Sequence, residues 1–168
     1  MSIYTYGTTF PWSDNIIAPP GRFDTYLSAN NFYQTYAITK NKPVAISETA
    51  AAFHVNSPVG PGVGELATKQ SWWQQFMTNA TYLDAHKKLK LICLFEFAKY
   101  EEKFANGVDD FRDFRITTNP TIASAFLKDF NTVKSRYIFA HSPGSSSSSG
   151  YALSASFFLL LLAIGLLF

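Results

Sequence analysis

Lys42-Pro43-Val44-Ala45-Ile46-Ser47-Glu48-Thr49 and Leu89-Lys90-Leu91-Ile92-Cys93-Leu94-Phe95 are the stretches on which the fold turns. The second is almost continuously apolar and too short for an amphipathic helix, the pattern of a strand covered on both faces in a parallel sheet. The first reads as another strand, Val44-Ala45-Ile46-Ser47, opened by Lys42-Pro43 and closed by Glu48. A loop holding Pro58, Gly60, Pro61, Gly62 and Gly64 follows it. Beyond the loop, Trp72, Phe76, Ala80 and Leu83 share one face of a helix predicted from Glu65 to Leu83. A helix between two strands is the connection that parallel neighbours require.

The same unit recurs on either side. Ser2 to Tyr6 is rich in β-branched and aromatic residues and reads as a strand, followed by a long loop through Gly7, Pro11, Pro19, Pro20 and Gly21. Phe32, Tyr36 and Ala37 then fall at helical spacing within Asn31 to Thr39, with Ser28 or Asn30 as the cap. Downstream, a polar loop from Glu96 to Thr118 leads to Asn119-Pro120, a cap followed by proline at the first helical position. That helix aligns Ile122, Phe126, Phe130, Val133 and Tyr137 on one side. The order is strand, helix, strand, helix, strand, helix: an α/β chain with three parallel strands.

Composition changes sharply after about residue 140. Ser142 to Gly150 contains Pro143, Gly144 and a run of serines that supplies nothing for a core and reads as a flexible stalk. Tyr151 to Phe168 carries no charge and ends in an apolar run, expected to be a hydrophobic helix. The chain thus divides into a folded unit at 1–140, a linker at 141–150 and a tail at 151–168. Small residues, a spacer and a terminal apolar run are the parts of a GPI-attachment signal; a retained transmembrane anchor is the rival reading, disfavoured because no basic residue follows the run. Either places the chain at the cell surface, held to a membrane. No signal peptide opens the chain, so its start reads as internal.

A net charge of +2 with dispersed lysines and arginines gives no nucleic-acid footprint. Cys93, the single cysteine, sits within the apolar strand and reads as a small buried hydrophobe. No metal-ligand spacing, phosphate loop or cofactor motif occurs. Asn79-Ala80-Thr81 is an N-glycosylation sequon.

Among residues able to carry chemistry, Glu48 stands where a strand meets its loop, the position from which parallel barrels direct catalytic side chains. Lys42 to Thr49, Tyr4-Thr5-Tyr6-Gly7 with Phe10-Pro11-Trp12, and Asp110-Phe111-Arg112 to Asn119-Pro120 together resemble the last three βα units of glycoside hydrolase family 26, the β-mannanase group, over about Ser2 to Tyr137. The resemblance implies part of a (β/α)8 barrel, strands six to eight with their helices, and hydrolysis of a β-linked polysaccharide substrate by a retaining mechanism without cofactor. It makes Glu48 the nucleophile and gives it a tyrosine to hydrogen-bond, Tyr4 being the better match and Tyr6 the alternative; such a bond favours the charged carboxylate. Trp12, Tyr6 and Phe95 become candidate sugar-binding rings. The family's acid/base glutamate belongs to strand four, which these units do not include, and Glu96 is the local acid placed to substitute. Read without the resemblance, the same residues fit a non-catalytic glycan-binding or structural cell-wall protein.

Overall fold

The computed structural model describes residues 1–7, 14–57, 59–101, 110–139 and 164–166. Strands β1 (Ser2–Thr5), β2 (Val44–Ala51) and β4 (Leu89–Leu94) lie side by side and parallel, with Ser2 opposite Glu48 and Ile46 opposite Ile92. The three neighbours that the sequence predicts are therefore present and in order. Their apolar side chains, Ile3, Val44, Ile46, Leu89 and Ile92, pack against a layer of helices in one continuous core. Burial of this kind stabilises by roughly 25 cal/mol per Å² of apolar surface.

The helical layer starts earlier than the sequence suggests. Helix α1 (Arg22–Leu27) follows Gly21, whose φ of 76° opens the helix, and buries Phe23 and Leu27 completely. Six residues without a polar cap leave little signal, so this segment reads as loop. A turn through Asn30 and Asn31, at φ 52° and 59°, then enters a π-helix at Tyr33–Thr39; asparagine tolerates this left-handed region better than most residues.

The long helix expected at Glu65 to Leu83 is two helices, α2 (Glu65–Phe76) and α3 (Ala80–Ala85). Asn79 separates them by capping α3 with its side chain, which accepts from the Tyr82 amide at 3.0 Å. Helix α4 (Pro120–Asn131) starts as expected, with Asn119 accepting from the Thr121 amide. It ends before Val133 and Tyr137, yet both of these are buried beside Ile122, Phe126 and Phe130.

Three further expectations are corrected. Strand β2 does not stop at Ser47 but runs through Glu48 to Ala51. The polar loop from Glu96 to Thr118 holds β5 (Ala98–Glu101) and β6 (Asp110–Asp113), which with β3 (Phe53–His54) make an antiparallel sheet of order β3-β6-β5. The tail's described residues form a strand, β8 (Ile164–Leu166), and not a helix. It lies antiparallel between β4 and β7 (Tyr137–Phe139), giving the order β1-β2-β4-β8-β7. An edge of unpaired backbone groups on an apolar strand such as β4 recruits such a partner. The sheet is mixed and open, and no closed barrel is formed among the described residues. Nor is any helix among them long and apolar enough to cross a membrane. The serine-rich stalk and the rest of the tail lie outside the described residues.

Candidate active site

The two faces of the large sheet differ. On β2, Val44, Ile46 and Thr49 are buried toward the helices, and Thr49 Oγ1 accepts from the Trp72 indole at 3.1 Å. The register with β4 shifts between Ile46 and Thr49. The buried alternation skips there, leaving both Ser47 and Glu48 exposed. A bulge of this type re-aims side chains beside functional sites.

Glu48 meets the side chains of β1. The Tyr4 hydroxyl donates to Glu48 Oε2 at 2.6 Å, and Ser2 Oγ lies 3.4 Å from the same oxygen and 3.2 Å from Ser47 Oγ. Burial pushes the Tyr4 phenol well above its ordinary range, with the bond to Glu48 and that carboxylate's charge acting in the same direction. The phenol is therefore the donor at any physiological pH. Between the two tyrosines matched to this role, Tyr4 makes the bond.

Tyr6 instead joins an aromatic cluster laid over Ala50 and Ala52, small residues that leave it room. Phe114 is its centre, 1% exposed, with ring centroids 5.8 Å from Tyr4, 5.8 Å from Tyr6 and 5.2 Å from Phe95. Phe95 meets Tyr4 edge-on at 5.5 Å. Exposed Phe97 continues the row, 5.9 Å from Phe95. The Arg112 guanidinium lies 4.9 Å above the Tyr6 ring. Burial raises the Tyr6 phenol, and the charges of Arg112 and Lys99 oppose that rise.

The supports of this cluster come from polar residues that look solvated in the sequence, two in loops and one on a helix. His54 is buried: its backbone amide and carbonyl are clasped by the Asn15 side chain at 2.8 and 2.9 Å, and its Nε2 sits 2.6 Å from the Tyr6 carbonyl. Arg112 is likewise buried. Lys69, in the middle of α2, is fully enclosed and reaches Glu65, Asp113 and the Arg115 carbonyl, which fixes the segment carrying Phe114.

Glu96, the acid placed to substitute as proton donor, is bound to the chain that follows Phe114. Its carboxylate accepts from the Ile116 and Thr117 amides at 2.8 and 3.0 Å and from the Thr117 hydroxyl at 2.6 Å. It holds the chain after Phe114 in place. Cys93 is buried, as expected of a small apolar side chain, and burial together with the Glu48 charge pushes its thiol up, away from the reactive thiolate. Trp12 lies outside the described residues. No cluster suited to a metal ion occurs among the described residues.

The arrangement is an exposed carboxylate, oriented by a phenol, at the margin of an aromatic surface. Such a group can attack an electrophilic carbon or accept hydrogen bonds from a polyhydroxylated ligand. Sequence reasoning missed Phe114, Asn15 and Lys69; the apolar spacing of Phe111, Phe114 and Ile116 was the available signal for the first. No family model, curated protein or solved structure matches the chain.

Proposed function

We propose that this chain contributes three consecutive βα units, by resemblance strands six to eight, to a (β/α) barrel glycoside hydrolase of the family 26 type that cleaves β-linked, mannan-like polysaccharide with retention. The observation that carries the reading is the bond from the Tyr4 hydroxyl to Glu48 Oε2 across adjacent parallel strands. Strand order, with helices covering one face and Glu48 on the other, agrees with it.

In this reaction a Glu48 oxygen attacks the anomeric carbon while the bond to the leaving oxygen breaks and that oxygen takes a proton. Water then attacks the same carbon, displaces Glu48 and leaves the sugar with its original configuration. The donor must stand about 5 to 5.5 Å from the nucleophile. With Glu96 engaged by backbone amides, we assign the donor to a segment completing the wall beside β1, the edge strand of the sheet among the described residues. Tyr6, Phe95 and Trp12 are the rings proposed to stack on sugar faces.

The test, made on the protein together with the segment that supplies the donor, is release of reducing sugar from mannan and other β-glycans by wild type, Glu48→Ala and Tyr4→Phe. A wild type no more active than Glu48→Ala contradicts the hydrolase. The engagement of Glu96 favours a second reading, a glycan-binding surface built on Tyr4, Tyr6 and Phe95 without turnover; retention on immobilised polysaccharide with no sugar released would select it. The tail is proposed to attach the protein to the outer cell surface through a GPI lipid. Release from intact cells by a phosphatidylinositol-specific phospholipase tests that, and a chain that stays bound argues against it.

A further inference from the structure

Helices α1, α2 and α3 enclose an open groove of about 800 Å³ that Glu48 does not line. Its walls combine polar groups with a flat aromatic pair. His86 Nε2 lies 3.1 Å from Asp24 Oδ1, the Tyr82 hydroxyl donates to the same oxygen at 3.3 Å, and the Tyr82 and His86 rings are stacked at 3.9 Å and 13°. Carboxylate, imidazole and phenol beside ring faces suit a sugar, whose hydroxyls need partners and whose C–H faces stack on aromatics.

Both Asn79 and Thr81 line this groove. They are the acceptor and hydroxyl residues of the chain's one sequon; Asn119-Pro120-Thr121 is excluded by its proline. Thr81 is exposed. Asn79 uses its carbonyl oxygen for the α3 cap, and its amide nitrogen has no hydrogen-bond partner among the described residues. That nitrogen is the atom a glycan takes, so modification and cap coexist. We propose that Asn79 carries an N-linked glycan and that the groove receives its core N-acetylhexosamine sugars.

The linkage forms when an oligosaccharide is transferred from a polyprenyl-diphosphate donor. A bond forms between sugar C1 and Asn79 Nδ2, the C1–O bond to the diphosphate breaks, and the amide loses one proton as the polyprenyl diphosphate departs. The proposal depends on passage of the chain to the cell surface and not on the hydrolase reading. A glycosylated Asn79 on a protein without glycosidase activity leaves it standing.

The experiment recovers the protein from its own cells and follows the tryptic peptide Gln70 to Lys87 by mass spectrometry. Treatment with a glycan-removing amidase in heavy-oxygen water should convert Asn79 to labelled aspartate. Recovery of that peptide only as unmodified asparagine overturns the proposal. Thr81→Ala should abolish the modification while keeping the α3 cap, which Asn79→Gln would disturb; a modification that survives Thr81→Ala also overturns it. Seating in the groove is read from the amidase rate, expected to be on the order of tenfold slower on native than on denatured protein. Equal rates overturn the seating.

Discussion

The Tyr4 hydroxyl donates to Glu48 Oε2 at 2.6 Å, joining the end of one parallel strand to the middle of the next. If Glu48 is the nucleophile, this bond holds its carboxylate in the attacking orientation. Tyr4→Phe keeps the ring and its contacts with Phe95 and Phe114 but removes the donor. We expect kcat on β-mannan to fall about 10- to 100-fold with KM little changed, a loss of ~1.4–2.7 kcal/mol in transition-state binding. Glu48→Ala should fall to background. Equal activity of Tyr4→Phe and wild type would remove Tyr4 from the site.

Burial raises the phenols of Tyr4, Tyr82 and Tyr137 above the ordinary value of 10.0. The folded state thus holds these protons more tightly than the unfolded chain. Their contribution is fully present below pH 10 and is lost as the pH rises toward the folded values. In an alkaline titration, a fraction of the phenolate absorbance should appear only together with loss of the circular dichroism of the fold. Complete phenolate formation with the dichroism intact would contradict the burial of these hydroxyls.

What the sequence discloses and what it hides follow from where each residue's energy resides. Leu89 to Leu94 and Val44 to Ile46 announce strands because their burial is written in consecutive apolar side chains. The Tyr4–Glu48 relationship is what the family resemblance implies, and the register that sets Ser2 opposite Glu48 brings the two side chains together. Strand β2 beyond Glu48 is hidden because its bulge breaks the alternation. The β5–β6 hairpin is hidden by charge: Lys99, Glu101 and Arg112 resemble a solvated loop, yet Lys99 pairs with Glu101 at 2.8 Å and Arg112 approaches the same carboxylate at 3.7 Å. The break at Asn79 escapes notice because Ala80 and Leu83 continue the helical spacing across it.

Lys69 shows the same concealment with a larger energetic consequence. Its ammonium group is enclosed among Glu65, Asp113 and the Arg115 carbonyl. Removing one partner of a buried ionic group costs about 3–5 kcal/mol. Lys69→Met preserves the volume and should lower the urea midpoint by an amount equivalent to ~3 kcal/mol with the slope unchanged. It should also loosen the segment carrying Phe114, read as greater solvent quenching of the Tyr4 and Tyr6 fluorescence. A midpoint within error of wild type would show the network to be dispensable.

Asp129 joins α4 to α2: its Oδ2 accepts from Gln70, Trp73 and Gln74 at 2.9, 2.9 and 2.8 Å. Burial raises its carboxyl, but these bonds outweigh burial and hold it below the ordinary value of 3.8. A depressed carboxyl contributes stability above the unfolded value and loses it as the pH falls through the folded one. Asp129→Asn should therefore flatten the acid limb of the stability profile below about pH 4, because it loses near neutrality the stability that the ionised carboxylate contributes there. Asp129→Ala leaves the buried Trp73 indole without an acceptor and should cost about 1–2 kcal/mol at all pH values. Parallel acid limbs for wild type and Asp129→Asn would refute the assignment.

The tail makes the sharpest demand on the fold. Leu91 and Ile92 of β4 face Gly165 and Ile164 of β8, which in turn faces β7. A tail cleaved during attachment to a lipid cannot also supply that strand, so the two roles exclude each other in the mature protein. Deleting residues 140–168 should speed hydrogen exchange at β4 amides on the order of tenfold or more and promote association through the bared edge. Exchange at Leu91 and Ile92 that stays as slow as in the full chain would show that β4 finds its protection elsewhere. The apolar run would then be spare for the membrane.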